Sequence, residues 1–193
     1  MKQPSILILE IRLLHTNPSV WRIIEVKSNT SLHDLHRIIQ VSMGWTNSHL
    51  YSFIKEIKEQ SVEYLLPEYA NPEEIYHGNN PVDFKLKDIF FNEGDKITYL
   101  YDFGDYWEHE VILKGWKYEE AMFGLPACTA GAMACPPEDV GGTHGYKILL
   151  DAIENKQKIE LEEYRVWLGH RFDPYDFSAD KLIYLSKIMR RIK

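Results

Sequence analysis

Hydrophobic positions change period several times along this chain, and the changes mark its elements. From Ser5 to Leu14, Leu7, Leu9, Ile11 and Leu13 recur at every second position, the period of a strand with one buried face. The other face is mixed: Ile6, Ile8, Glu10 and Arg12. Thr16-Asn-Pro-Ser19 reads as a turn and alternation resumes from Val20 to Lys27, so the first two strands are expected to form a hairpin. The period then lengthens. Leu32, Leu35, Ile39 and Met43 recur at helical spacing, Ser28 to Ser31 offer caps, and Gly44 supplies a stop. His49 to Ile57 reads as a third strand.

Residues 58–84 hold Pro67, Pro72 and Pro81, have no period, and read as a mobile surface excursion with a short strand from Val62 to Leu66. Leu86 to Phe91 reads as a helical turn or two. After the turn Asn92-Glu-Gly-Asp95, apolar residues alternate through Ile97, Tyr99 and Tyr101 and again through Val111 and Leu113. These two strands are joined at Asp102-Phe-Gly-Asp105. Gly104 can take a positive φ and each flanking Asp can hydrogen-bond its own backbone, which is turn chemistry. Residues 115–142, with eight Gly and Pro, read as irregular. Three helical segments follow: Gly145 to Glu154, Leu161 to Leu168, and one capped by Ser178 that ends at the basic Arg190-Arg191.

The expected fold class is α+β: a roll of mixed or antiparallel strands with a helical C-terminal part. It is read as one domain over residues 1–193. A β-grasp-like strand–strand–helix–strand unit (1–57) opens it, a hairpin (85–115) lies at its centre, and helices (143–193) close it.

A chain of 193 residues is long enough for a sizeable core. Its aromatic content of 13% is high, which suggests a wide apolar floor or a concave surface. Charge narrows the choice of partner. The net charge is −7, and residues 100–142 hold eight acids against Lys114 and Lys117, a local net of −6. A phosphate backbone is repelled there, so strong nucleic-acid binding is not expected; a cation or a basic protein is the partner the charge suits. No apolar run is long enough to span a bilayer and no signal peptide opens the chain, so no membrane association is expected. Two cysteines make no disulfide framework and read as reduced thiols of a cytoplasmic protein.

The candidate chemistry gathers around the hairpin tip. His109 shares an alternating face with Trp107 and Val111, so it is expected to be at least partly buried and held by a carboxylate or the backbone. Cys128 and Cys135, with six residues between them, fit no zinc knuckle. No cofactor is therefore predicted; a transition metal, if present, would use Cys128, Cys135 and His109. Glu138 and Asp139 are adjacent and point apart on extended backbone. One is expected to cap the helix starting near Thr143, and the alternative places Glu138 at the hairpin tip. The tip and the 128–142 loop should lie against each other, because neither satisfies its polar groups alone. The candidate binding surface is Asp102, Phe103, Asp105, Trp107, His109, Glu138, Asp139, His144 and Tyr146. No nucleophile elbow and no phosphate loop is present.

Three segments carry a resemblance: Tyr101-Asp-Phe-Gly-Asp-Tyr-Trp-Glu-His109, the stretch from Cys128 through Pro136-Pro-Glu-Asp-Val-Gly-Gly142 to Tyr146, and Phe172-Asp-Pro-Tyr-Asp-Phe177. In order and spacing they resemble the plasmid pRiA4b ORF-3-like family over essentially the whole chain. Ser31-Leu32 and Leu86-Lys-Asp-Ile-Phe90 also look like family features. The resemblance implies an α+β, roll-like domain of unsettled function; some relatives travel with mobile elements and have been labelled resolvases. Relatives often carry a third cysteine where this chain has Val140, which weakens a cysteine-based metal site here. The residues give no support to recombinase chemistry, since the arginines are scattered. The expected function is a cytoplasmic binding or interaction module. The alternative is a metal-dependent hydrolase or nuclease using Asp102, Asp105, His109 and Glu138.

Overall fold

The computed structural model describes residues 5–69, 78–118 and 125–177. Among them, seven strands form one antiparallel sheet: β1 (Ile6–Leu13), β2 (Trp21–Lys27), β3 (Tyr51–Ile57), β4 (Gln60–Leu65), β5 (Lys96–Tyr101), β6 (Trp107–Lys117) and β7 (Ala127–Ala132). Their order is β4-β3-β5-β6-β1-β2-β7. The helices are α1 (Leu32–Met43), α2 (Gly142–Glu154) and α3 (Lys158–Leu168). The architecture is thus α+β with a large antiparallel sheet.

Alternation in β1 is realised as read: Leu7, Leu9, Ile11 and Leu13 are each at most 1% exposed. The strand lies between β2 and β6, with Leu9 opposite Ile24 on one side and Leu113 on the other. Helix α1 starts where the Ser31 hydroxyl accepts the Asp34 N–H at 3.0 Å, and it stops at Gly44, whose φ of 93° places it in the left-handed region. Leu32, Leu35 and Ile39 are fully buried, each worth about 2 kcal/mol of apolar burial.

Several expectations need correction. The stretch 115–142 is not wholly irregular: β6 runs on to Lys117, and Ala127–Ala132 forms edge strand β7 on β2. The small side chains of Ala-Cys-Thr-Ala-Gly-Ala leave no hydrophobic period to read. They are small because the space is taken: a Cβ on Gly131 would lie 2.6 Å from the Phe177 ring and 2.7 Å from the Trp21 carbonyl oxygen. Arg22 ties the same corner together. It is 2% exposed, donates to the carbonyls of Ser42, Trp21 and Ala132, and lies 4.4 Å from the centre of the Phe177 ring.

The third strand begins at Tyr51, which leaves His49 in the preceding loop. The short strand expected in the 58–84 excursion is present as β4, paired with β3. Leu86–Asp88 forms the expected helical turn. Helix α2 begins at Gly142, three residues before the expected start, and α3 at Lys158. The helix expected from Ser178 lies outside the described residues. The opening order of strand, strand, helix and strand is present, but β3 is separated from β1 by β5 and β6, so a β-grasp-like unit is not established.

Candidate functional site at the hairpin tip

Strands β5 and β6 pair from Lys96–Ile112 up to Tyr101–Trp107, leaving residues 102–106 as the tip. Asp102 opens the turn with a φ of 57°, a conformation Asp tolerates. Its Oδ1 accepts the Gly104 N–H at 2.9 Å, and its own N–H donates to the Leu50 carbonyl at 2.9 Å. Phe103 and Gly104 face solvent.

The loop after β7 closes onto this tip, as the sequence leads one to expect. Asp105 Oδ2 accepts the Gly141 N–H at 3.2 Å. Gly142 sits so close that a Cβ would lie 2.5 Å from the Asp105 carbonyl oxygen, and its φ of 64° independently favours glycine.

Glu138 faces a different neighbour from the one expected. It does not cap α2, whose N-cap is Gly141 with no side-chain cap bond. Its carboxylate accepts the Tyr101 hydroxyl at 2.5 Å, the Thr46 N–H at 3.0 Å and the Thr46 hydroxyl. One residue earlier in that loop, Trp45 Nε1 donates to the Pro136 carbonyl at 3.0 Å. Burial, then the hydrogen bond and charge of Glu138, raise the pKa of Tyr101, so its hydroxyl stays a donor. Glu138 is thus saturated, and it clamps three chain segments together.

Asp139, next in sequence and with a φ of 61°, points the other way. Its Oδ1 lies 3.0 Å from His49 Nε2, and Asp102 Oδ2 lies 3.6 Å from the same nitrogen. Sequence reasoning missed His49 because it read the residue into a strand. The polar run Thr46-Asn-Ser-His49, which no alternation explains, was the available signal.

The other candidates are elsewhere. Trp107 and His109 are fully buried beneath the tip. His109 Nδ1 lies 3.1 Å from the Trp107 carbonyl and 3.3 Å from that of Tyr99, so its partner is backbone and not Asp102 or Asp105. Burial holds its pKa down at about 4 against those bonds. Asp102, Asp105, His109 and Glu138 therefore do not form one constellation. His144 and Tyr146 line a separate cleft of about 650 Å³ with His15, Met133 and Lys147. Cys128 is buried on β7, and burial raises the pKa of both thiols, with Arg22 opposing. Among the described residues, the one group of three able to converge on a cation is His49, Asp102 and Asp139, not the cysteines with His109. Beside Asp139 opens a cleft of about 420 Å³ lined by Trp45, Pro136, Pro137, Trp167 and Phe172.

Known proteins share this arrangement of sequence and fold. The chain is 33% identical over 187 residues to the uncharacterized protein y4hQ of Sinorhizobium fredii (strain NBRC 101917 / NGR234), spanning 95% of this chain and 90% of that protein. It also resembles the crystal structure of MM3350 from Methanosarcina mazei Go1, described as a protein of unknown function. There the TM-score is 0.79 at 31% identity, with 94% of this chain and 99% of that one covered. The family model for plasmid pRiA4b ORF-3-like protein matches residues 5–181, and the chain belongs to that family.

Proposed function

We propose that the protein is a binding module whose working face is the 102–106 tip with the 136–142 loop, and that its partner is a basic segment of another protein. The observation that carries this reading is acidity that no lysine or arginine neutralises, with His49 as its one basic neighbour among the described residues. Asp102, Asp105 and Asp139 converge from two chain segments, and no lysine or arginine among the described residues forms an ion pair with them. Phe103 and Tyr106, 42% and 58% exposed, stand at the same tip and offer ring faces to a guanidinium or ammonium group. The Glu138 clamp and the close-fitting glycines hold the face rigid, which lowers the entropic cost of binding.

Residues 1–193 are read as one domain serving this face. The two free cysteines suit a cytoplasmic setting. No helix among the described residues is long and apolar enough to cross a membrane. The hydrolase alternative is disfavoured by the burial of His109 and the saturation of Glu138.

The test is an amide-resolved NMR titration with an arginine-rich peptide and an acidic control of equal length. Shifts should concentrate at residues 102–106 and 138–142, weaken with added salt, and be lost in Phe103→Ala/Asp105→Ala. Shifts located elsewhere, or no discrimination between the two peptides, would rule the reading out.

A further inference from the structure

We propose that His49, Asp102 and Asp139 form a divalent transition-metal site on this face. The inference rests on the reading of the tip as the working surface and adds a second ligand to it. The ligand atoms of the three residues all lie within 4.8 Å of one another. They come from three segments, the loop before β3, the tip and the loop before α2, each fixed by bonds that do not involve these atoms.

An imidazolium bridging the two carboxylates is the competing arrangement of such a cluster, and the metal titration below decides between them. His49 Nε2 is buried and makes no hydrogen bond, although carboxylate oxygens stand 3.0 and 3.6 Å away. One imidazole nitrogen with a carboxylate oxygen from each of two other segments is a donor set of the kind that holds divalent transition metals. Bonds of about 2.1 Å put neighbouring donors about 3.0 Å apart at an octahedral edge and about 3.4 Å apart at a tetrahedral one; the shorter nitrogen–oxygen separation equals the first, the longer exceeds the second, and with the three atoms spread within 4.8 Å the carboxylates would draw inward on an ion.

The donor set selects the ion class. One imidazole and two carboxylates suit Zn²⁺ or Mn²⁺; no thiolate is present to favour Cu⁺, and the nitrogen disfavours the oxygen-seeking Ca²⁺ and Mg²⁺. Glu138 is not a ligand, because both its oxygens are engaged. Three protein donors leave positions for water or for a donor atom of the partner.

The experiment uses the full chain purified without a histidine tag and stripped with chelator. Zn²⁺ is titrated by calorimetry and Mn²⁺ by electron paramagnetic resonance. About one equivalent should bind, and His49→Gln and Asp139→Asn should each weaken binding by roughly 10-fold or more. Asp139 is exposed, so its variant tests the site without threatening the fold. Zinc should also raise the melting temperature of the wild type and not of either variant. No stoichiometric binding of either ion, or binding unchanged in both variants, overturns the site. The peptide titration separates the two readings: peptide shifts without metal binding sink only the metal site, and metal binding without peptide shifts sinks only the basic partner.

Discussion

The tip and the layer directly beneath it are both dense in rings and titratable groups, and they differ in burial and in charge. Beneath, His36 stacks on Tyr51 at 3.6 Å and 6°, and bonds the Tyr99 hydroxyl at 2.8 Å and Asn47 Oδ1 at 2.6 Å. Gln40 Nε2 adds a second bond to the Tyr99 hydroxyl, at 3.0 Å. His109 meets Trp45 edge-on at 5.3 Å and 88°. This layer is buried, although Trp107 Nε1 and His109 Nε2 within it make no hydrogen bond. Above it, Asp102 and Asp139 leave oxygens beside a histidine nitrogen that makes no hydrogen bond. A displaced pKa often points to function. Here the histidines with displaced values, about 3 for His36 and about 4 for His109, owe them first to burial and belong to the core.

The sharpest way to break this contrast is acid. Both histidines have folded pKa values below the unfolded value near 6.5, so the unfolded chain binds more protons in between. Their contribution is complete above about pH 6.5 and is lost as pH falls toward about 4 for His109 and about 3 for His36. The contribution is on the order of 3 kcal/mol for His109 and on the order of 5 kcal/mol for His36 between neutral pH and full protonation. Urea unfolding at pH 7.5, 6 and 5 should show stability dropping through this window, and His109→Gln should flatten the slope. A level profile would mean that the layer is wetter than its geometry indicates.

The next effect tests rigidity. A Cβ on Gly145 would lie 1.8 Å from the Val140 carbonyl oxygen, so backbone must move to admit it. Gly145→Ala should cost about 3 kcal/mol and pull the 136–142 loop off the tip, measured by thermal melting and by amide exchange at Gly141. Tyr101→Phe is milder. It removes one of the three hydrogen bonds on the Glu138 carboxylate and should cost about 2 kcal/mol, with the fold retained.

These residues also mark where the sequence was legible. Leu7, Leu9, Ile11 and Leu13, the Ser31 cap, the Gly44 stop and the Asp102–Asp105 turn were readable because each depends on local periodicity or local bonds. So was the burial of His109, from its place on an alternating strand. Strand β7 was not readable, because its small residues answer to Phe177 and Trp21, distant in sequence. The role of Glu138 was not readable for the same reason: its partners Thr46 and Tyr101 lie 92 and 37 residues away. Asp102 and Asp139 were chosen for their acidity, but only the fold brings His49 between them.

The smallest effect separates what holds the face together from what makes it bind. Asp105 Oδ2 accepts one N–H, that of Gly141, at a partly exposed position where water can substitute. Asp105→Ala should therefore cost about 1 kcal/mol or less. Asp105→Asn keeps an acceptor in nearly the same place and removes the charge. If the hydrogen bond alone anchors the loop, the Asn variant should melt within about 0.5 kcal/mol of wild type while its response to an arginine-rich peptide weakens. Gly141 is also the N-cap of α2, so the carboxylate faces the positive end of that helix. If Asn destabilises as much as Ala, the anchor is charge against the helix end, and added salt should then erode the wild type's advantage over Asn. The two variants, melted at low and high salt, decide between a bond and a field as what keeps the acidic face in place.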